Sequence, residues 1–108
     1  MKQFRCHVAA AICAIGGLTI AAPSWANLAL AQKNACMACH TVDKKLVGPA
    51  YQDVAKKYAG QADAQAALVK SIKAGGSGKW GPVPMPPQPG LSDADANTLA
   101  SWILGGAK

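Results

Sequence analysis

A proline-rich segment near the end of the chain, Gly75 to Gly90, most constrains the possible folds. It reads GGSGKWGPVPMPPQPG and contains five prolines. Proline removes a backbone donor and clashes with the preceding helical turn, so this segment cannot be a helix. A flexible linker would have a similar composition. Because linkers seldom carry residues such as Trp80, Val83 and Met85, we predict a stiff, extended strap that is held over part of the fold.

The apolar residues elsewhere predict four helices and no strands. The helices are expected within NLALAQKNACMAC, GPAYQDVAKKYAG, ADAQAALVKSIKAGG and SDADANTLASWILGG. In the second of these, Tyr51, Val54 and Tyr58 recur at helical spacing and form one apolar stripe. Ser92 and Asp95 are a candidate capping pair for the last helix. The sequence therefore predicts an all-α fold with a single domain.

The first 26 residues are predicted to be a cleaved secretory leader. A short basic stretch precedes an apolar run from Val8 to Ala22, and small residues then occupy the positions that a signal peptidase reads, with cleavage after Ala26. The alternative is a membrane anchor, but the run is shorter than the roughly 20 residues that a spanning helix needs. We expect a mature domain of residues 27–108, whose first helix is capped by Asn27.

The mature chain contains one motif with distinctive chemistry, C-x-x-C-H at Cys36, Cys39 and His40. A structural zinc site needs four ligands, and only these three Cys and His side chains remain after processing. The leader would take the others with it: Cys6, His7 and Cys13. A dithiol motif belongs in a βαβ unit, and no strand is predicted. A disulfide would close too small a loop to stabilise the fold. The motif therefore predicts covalent attachment of c-type haem, which suits an exported chain.

The spacing of the motif has a physical reason. Residues three and four apart share a helix face, so Cys36 and Cys39 can form thioethers with one porphyrin edge while His40 turns towards the iron. His40 is the one histidine of the mature chain, so a second axial ligand must be of another type. Met85 is the candidate, since prolines frame it and His/Met is a standard pairing. The alternatives are that Met85 fills a gap in the core, or that Lys79 binds the iron, chiefly at high pH.

These residues resemble the class I cytochromes c, in particular the short bacterial cytochrome c-551 group. The resemblance rests on CMACH, VGPAYQDVAKKYAG, GKWGPVPMPP and SDADANTLASWIL, and it covers nearly the whole mature chain. It implies the small cytochrome c fold, with about four helices around one covalently bound haem. It also implies that His40 and Met85 are the axial ligands of the haem iron. The carbonyl of Pro49 would accept the ring N–H of His40. Trp80 would donate to a haem propionate, with a plain core aromatic as its alternative.

The chain departs from the usual pattern of this family at several positions. Ala31 stands where relatives usually have an aromatic residue, and Trp102 is expected to fill that space from the last helix. Ala35 replaces the usual glycine before the first cysteine. Gln88 replaces an asparagine that often bonds the methionine sulfur, and we expect this change to alter the reduction potential. Ser71 replaces a basic residue that some relatives place near a propionate.

The resemblance implies a periplasmic electron carrier and not an enzyme. An iron with two protein ligands has no open position for a substrate, so the expected reaction is outer-sphere electron transfer. Expected partners are respiratory, such as a cytochrome bc1-type donor and a terminal oxidase or nitrite reductase. A haem peroxidase is one alternative, but it needs a distal acid–base residue, and the mature chain has no second histidine. A gas sensor is another, and it requires Met85 to leave the iron readily.

The charge of the mature chain suits protein partners with acidic docking surfaces. Nine lysines stand against five aspartates, with no Arg or Glu, for a net charge of +4. This balance can steer brief encounters, but it is too sparse for nucleic acid. We expect a monomer without stable membrane insertion after processing. Four lysines flank the haem-binding segments and are candidates for the docking face, with an ordinary solvated surface as the alternative: Lys33, Lys44, Lys45 and Lys79.

Overall fold

A computed structural model describes residues 24–108. It contains four α-helices: α1 (Ser24–Lys33), α2 (Tyr51–Tyr58), α3 (Ala64–Ala74) and α4 (Asp93–Leu104). A 3-10 turn, Cys36–Ala38, lies between α1 and α2. Within the described residues, β-structure is limited to two isolated bridges, His40 with Lys45 and Gly76 with Met85. The predicted all-α class is confirmed.

The first helix differs from the prediction at both ends. Asn27 lies within this helix and does not cap it, because the helix already includes Ser24, one of the last residues of the predicted leader. It ends at Lys33, shortly before Ala35 adopts the left-handed conformation with φ 59°. A left-handed residue cannot continue a right-handed helix. The cysteine motif therefore begins in a separate turn at Cys36 and not in the continuous helix that was predicted.

The leader remains a prediction. Most of it, residues 1–23 with Cys6, His7 and Cys13, lies outside the described residues. Between residues 24 and 108, the structure contains no helix that is both long enough and apolar enough to cross a membrane. The indole N–H of Trp102 donates to the Ser24 hydroxyl at 3.4 Å. Cleavage after Ala26 would remove this hydrogen bond together with the first three described residues of α1.

Helix α4 is the centre of the fold, because it packs against each of the other three helices. The buried core is apolar and is drawn from all four helices: Ala31, Tyr51, Val54, Tyr58, Leu68, Ile72, Ala96, Leu99, Ala100, Trp102 and Ile103. The Trp102 ring meets the Tyr51 ring edge-on, with centroids 5.4 Å apart. Ala31 is fully buried in the same cluster. Ala31 on α1 and Trp102 on α4 thus belong to one buried cluster, and the filling of the space beside Ala31 by Trp102 stays a prediction.

The predicted Ser92 cap of α4 is present, and glycines lie at the ends of α2 and α3. The Ser92 hydroxyl accepts the backbone N–H of Asp95 at 3.1 Å, which caps α4. Gly75 ends α3 with φ 67°, and Gly60 follows α2 with φ 79°. Such angles suit glycine, which has no Cβ to clash. These glycines therefore lie where helices α2 and α3 end.

The proline-rich segment is an irregular strap, as predicted. Gly76 and Met85 exchange two backbone hydrogen bonds, of 3.0 and 2.8 Å. The backbone N–H of Gln88 donates to the carbonyl of Lys73 in α3 at 2.9 Å. The strap is therefore tied to itself at Met85 and to α3 just beyond it. This backbone pairing and the restricted φ of the prolines limit the conformations that the strap can adopt.

Candidate cofactor site

A cavity of about 610 Å³ lies between the strap and the helices. Its walls are largely apolar and come from α2, α3 and α4: Val54, Leu68, Ile72, Leu99 and Ile103. The six residues that the sequence assigns to the cofactor all line it: Cys36, Cys39, His40, Pro49, Trp80 and Met85. The fold therefore gathers the whole predicted site around one space, from segments far apart in the sequence.

His40 is held in place from two sides. Its Nδ1 lies 2.7 Å from the carbonyl oxygen of Pro49. Because a carbonyl only accepts, Nδ1 carries the hydrogen, and Nε2 keeps a free lone pair. The imidazole also stacks on Tyr51, with ring centroids 5.2 Å apart and planes at 19°. The ring is thus fixed in the tautomer and orientation that binding a metal through Nε2 requires.

Gly48 approaches the His40 ring so closely that no side chain fits there. A Cβ at this position would lie 2.5 Å from Cε1 and 2.9 Å from Nδ1 of His40. The backbone N–H of Gly48 also donates to the carbonyl of Cys39 at 2.7 Å, which ties this loop to the motif. The sequence reasoning included Pro49 but missed Gly48. The feature of the sequence that could have indicated it is the glycine directly before Pro49.

The two cysteines lie on a tight turn and not on a continuous helix. The Cys36 carbonyl accepts the backbone N–H groups of Cys39 at 3.2 Å and His40 at 3.0 Å. The turn keeps the three- and four-residue spacing, so all three motif side chains still reach the cavity. Both thiols are free. Burial raises the pKa of the Cys36 thiol above its ordinary value, which keeps this thiol protonated at neutral pH.

Met85 is positioned by its backbone. The paired hydrogen bonds with Gly76 fix the chain on either side of its Cα, and its half-buried side chain lines the cavity. Gly75 is needed for this approach, since a Cβ there would lie 2.3 Å from the Met85 carbonyl oxygen. Met85 does not belong to the hydrophobic core cluster of the described residues. Its position therefore favours the interpretation as a ligand over that of a core gap-filler.

Trp80 is 40% exposed and lines the cavity, and its role towards a haem propionate stays a prediction. The Nζ of Lys57 lies 4.3 Å from the centre of the Trp80 ring, a cation–π contact. Lys57 also donates to the backbone carbonyl of Lys79 at 2.7 Å. The Nζ of Lys79 in turn donates to the hydroxyl of Tyr58 at 2.5 Å. Two cations therefore lie at the Trp80 margin of the cavity.

The lysines predicted for the docking face lie in different surroundings. Lys33, Lys44 and Lys45 are exposed, and Lys45 also lines the cavity. Lys79 is bonded to Tyr58 through its ammonium group. Two valines that line the cavity are also half exposed, Val47 at 51% and Val83 at 58%. The rim of the cavity therefore offers an apolar surface with positive charge beside it.

The chemistry of these side chains fits a haem better than a bare metal ion. No group of three or more His, Cys, Asp or Glu side chains in residues 24–108 is arranged to hold a metal. The cavity instead offers one imidazole, one thioether, two thiols and apolar walls. An imidazole and a thioether are a known axial pair for haem iron. The fold and the site together define a small all-α haem-binding protein.

Comparison with known proteins identifies the family. The family model for cytochrome c matches residues 28–107. Cytochrome c-551 of Allochromatium vinosum is 51% identical over 92 residues, which is 85% of this chain and 98% of that protein. Cytochrome c-552 of Hydrogenobacter thermophilus is 52% identical over 104 residues, covering 96% of this chain and 97% of that protein. The chain therefore belongs to the cytochrome c family.

A solved structure is similar to the fold as well. The crystal structure of Nitrosomonas europaea cytochrome c552 superposes with a TM-score of 0.70 at 55% identity, over 72% of this chain and 96% of that chain. Membership of the family confirms the predicted fold and the predicted cofactor, one covalently bound haem c with its iron. It also establishes the general function, since cytochromes c are electron carriers.

Proposed function

We propose that the chain is a periplasmic one-electron carrier, with haem c attached through Cys36 and Cys39 and ligated by His40 and Met85. The hydrogen bond between His40 Nδ1 and the Pro49 carbonyl carries the proposal, because it leaves Nε2 free within the cavity that Met85 also lines. When bound, the haem supplies a reversible Fe(III)/Fe(II) couple that exchanges one electron without making or breaking bonds. The residues of the chain hold that couple in a fixed environment.

The surroundings of the two proposed ligands favour a high reduction potential. A methionine thioether donates weakly and so stabilises Fe(II) over Fe(III). The apolar walls act in the same direction, since they disfavour the extra positive charge of Fe(III). The stacked and hydrogen-bonded His40 and the paired backbone of Met85 have little freedom to rearrange. A closed, rigid ligand pair supports a carrier and not an enzyme with an open iron site.

The test is spectroscopy and mass spectrometry on the exported holoprotein. We expect the mass of one haem to remain on the chain after denaturation, which shows covalent attachment. The ferric protein should show the weak long-wavelength band of methionine ligation, and the ferrous protein should not bind CO readily. Met85→Ala should lose the band and bind CO while keeping the haem attached. Rapid CO binding by the unaltered protein at neutral pH would contradict the carrier and favour a sensor or a peroxidase.

The rim of the cavity supports docking of an acidic redox partner. Val47 and Val83 offer a small apolar contact area, and Lys44 and Lys45 supply positive charge close to it. A carrier needs short-lived complexes, for which a small interface steered by charge is suited. We propose respiratory partners, such as a cytochrome bc1-type donor and a terminal oxidase or nitrite reductase. The electron-transfer rate with such a partner should fall as ionic strength rises.

Export and processing complete the proposal. We propose that residues 1–26 are a leader and that residues 27–108 form a monomeric monohaem domain. The mass and N-terminal sequence of the protein recovered from the periplasm should place its first residue at Asn27. Size-exclusion chromatography should give a monomer. A mature protein that retains Trp25, which is exposed in α1, would place the cleavage elsewhere.

A further inference from the structure

Two lysines meet beside Tyr58 and Trp80 at one margin of the cavity. Lys57 stacks over the Trp80 ring and donates to the backbone carbonyl of Lys79. The ammonium group of Lys79 reaches the Tyr58 hydroxyl at 2.5 Å. Tyr58, Lys79 and Trp80 line the cavity, together with the hydroxyl-bearing Ser71. A polar, positively charged group of side chains thus faces a space that is otherwise mostly apolar.

Neither lysine has an acidic partner in the described part of the chain. The one salt bridge among residues 24–108 joins Lys73 to Asp93, on the α3–α4 side of the molecule. Lys57 and Lys79 instead donate to a carbonyl and a phenol, which are neutral acceptors. Two adjacent ammonium groups with neutral partners form a place where an anion would be stabilised.

The pKa of the Tyr58 hydroxyl is affected by the positive charge of the two lysines. Burial raises the pKa of its hydroxyl, but the hydrogen bonds of Lys79 and Ser71 and the charges of Lys79 and Lys57 act against burial. The net pKa of Tyr58 lies below its ordinary value. The surroundings of this hydroxyl therefore favour a negative oxygen, which is the chemistry of a carboxylate site.

A haem brings its own anions into the cavity. Its edge carries two carboxylates, while the rest of the macrocycle is apolar and matches the walls formed by Leu68, Ile72 and Leu99. A carboxylate that enters a partly buried site is costly unless a cation or hydrogen-bond donors meet it. We propose, on the basis of the proposed haem site, that Lys79 is the cation that neutralises one haem carboxylate and that Lys57 positions Lys79.

The roles of the two lysines differ. Lys79 lines the cavity, and its ammonium group already lies against a buried hydroxyl, so it can contact the carboxylate directly. Lys57 holds the backbone of Lys79 and covers Trp80, so it acts through its neighbours. Lys45 is the other lysine that lines the cavity, and it makes no salt bridge with the described residues. Lys45 is therefore the competing site, and the experiment must separate it from Lys79.

Other charged or titratable groups also surround the cavity. Helix α2 contributes Tyr51, Asp53 and Tyr58, and Lys57 lies just outside; the motif and the following loop contribute Cys36, Cys39, His40 and Lys45; the strap contributes Lys79. Within the described lining, Asp53 is the one carboxylate of the chain itself. It would raise the pKa of a haem carboxylate, whereas Lys79 would lower it. Only the second effect is lost when Lys79 is replaced.

The test is the midpoint potential of the holoprotein as a function of pH. Protonation of a haem carboxylate removes a negative charge near the iron, so the potential falls as pH rises through the carboxylate pKa. In Lys79→Gln this fall should move to higher pH by about one unit, a tenfold change in proton affinity. Lys79→Arg should restore it. Lys57→Gln should move it in the same direction by less. Lys56→Gln, on the exposed face of α2, is the control and should leave it unchanged.

The pH profiles of the variants decide whether Lys79 neutralises the haem carboxylate. Profiles of Lys79→Gln and Lys56→Gln that coincide would overturn the assignment, and so would a shift produced by Lys45→Gln instead. Haem content and melting temperature confirm that each variant is folded, and Lys57→Gln gives an independent result if Lys79→Gln is poorly folded. Failure of the haem site itself is recognised separately, because the unaltered protein would then lack covalent haem or the ferric methionine band.

Discussion

The Nδ1 of His40 lies 2.7 Å from the carbonyl oxygen of Pro49, and this hydrogen bond joins the cysteine motif to the loop that enters α2. The loop can approach the imidazole because it does so through Gly48, which has no side chain. Tyr51, the first residue of α2, then stacks on the same ring. One short segment therefore supplies the acceptor, the clearance and the packing surface for His40.

Gly48→Ala should displace the imidazole. A Cβ at 2.5 Å from Cε1 of His40 is far inside van der Waals contact, so the ring or the loop must move. We expect the overpacking to lower the free energy of unfolding by about 1–3 kcal/mol. The hydrogen bond with Pro49 should weaken as well, which changes the ferric spectrum. Thermal unfolding and visible spectra of the holoprotein measure the two effects.

The matched control is Gly90→Ala, where a Cβ would meet nothing within 4 Å and φ is not positive. It should leave the spectrum unchanged. Equal stability and equal spectra for the two variants would contradict the view that Gly48 provides clearance for His40.

Gly75→Ala should disturb Met85, whereas Gly60→Ala should not. Both glycines have positive φ, 67° and 79°, so both substitutions strain the backbone, by about 1–3 kcal/mol; the strain is larger at Gly75, whose ψ of −162° suits almost only glycine. Only at Gly75 does the new Cβ clash, at 2.3 Å from the Met85 carbonyl oxygen. We therefore expect Gly75→Ala alone to weaken the ferric methionine band. The intensity of that band, measured against the melting temperature of each variant, separates strain from ligand displacement. A band equally intense in both variants would mean that the strap adapts without moving Met85.

Ala35→Gly should stabilise the protein. Ala35 has φ 59°, a conformation that an alanine adopts only with strain and a glycine adopts freely. The greater freedom of glycine in the unfolded chain offsets part of the gain, so we expect about 0.5–1 kcal/mol. Ala38→Gly is the control, because Ala38 is exposed and has no positive φ. It should be neutral or destabilising. The free energy of unfolding in urea measures both variants. An Ala35→Gly variant less stable than the Ala38→Gly control would contradict the prediction.

Much of the site could be predicted because its chemistry is local in sequence. The motif at Cys36, Cys39 and His40 has a fixed spacing, and a strap rich in proline cannot be a helix. Elimination pointed to Met85, since the mature chain has few other side chains that bind iron. The structure brings these residues to one cavity. Family membership establishes the haem, while the assignment of each ligand remains a prediction.

The remaining features depend on contacts between distant segments. The clearance at Gly48 and Gly75 appears only when a loop meets His40 and the strap meets α3. The break in the first helix follows from the backbone angle of Ala35, a residue whose intrinsic preference favours helix. The position of the Lys79 ammonium group depends on the Tyr58 hydroxyl, which belongs to α2 and not to the strap. Sequence periodicity carries no information about such pairings.

Charge reversal at the rim should slow electron transfer with an acidic partner. Lys44 and Lys45 are exposed next to Val47, where the cavity reaches the surface, so a partner docked there would meet both charges. The double variant Lys44→Glu/Lys45→Glu should lower the second-order rate constant about tenfold at low ionic strength. The effect should shrink as salt screens the charges.

The control pair, Lys70→Glu with Lys108→Glu, makes the same change in net charge at exposed positions away from the cavity lining. Stopped-flow measurements over a range of ionic strength compare the two pairs. Equal rates for both would show that net charge alone steers the encounter and that the rim is not the docking face.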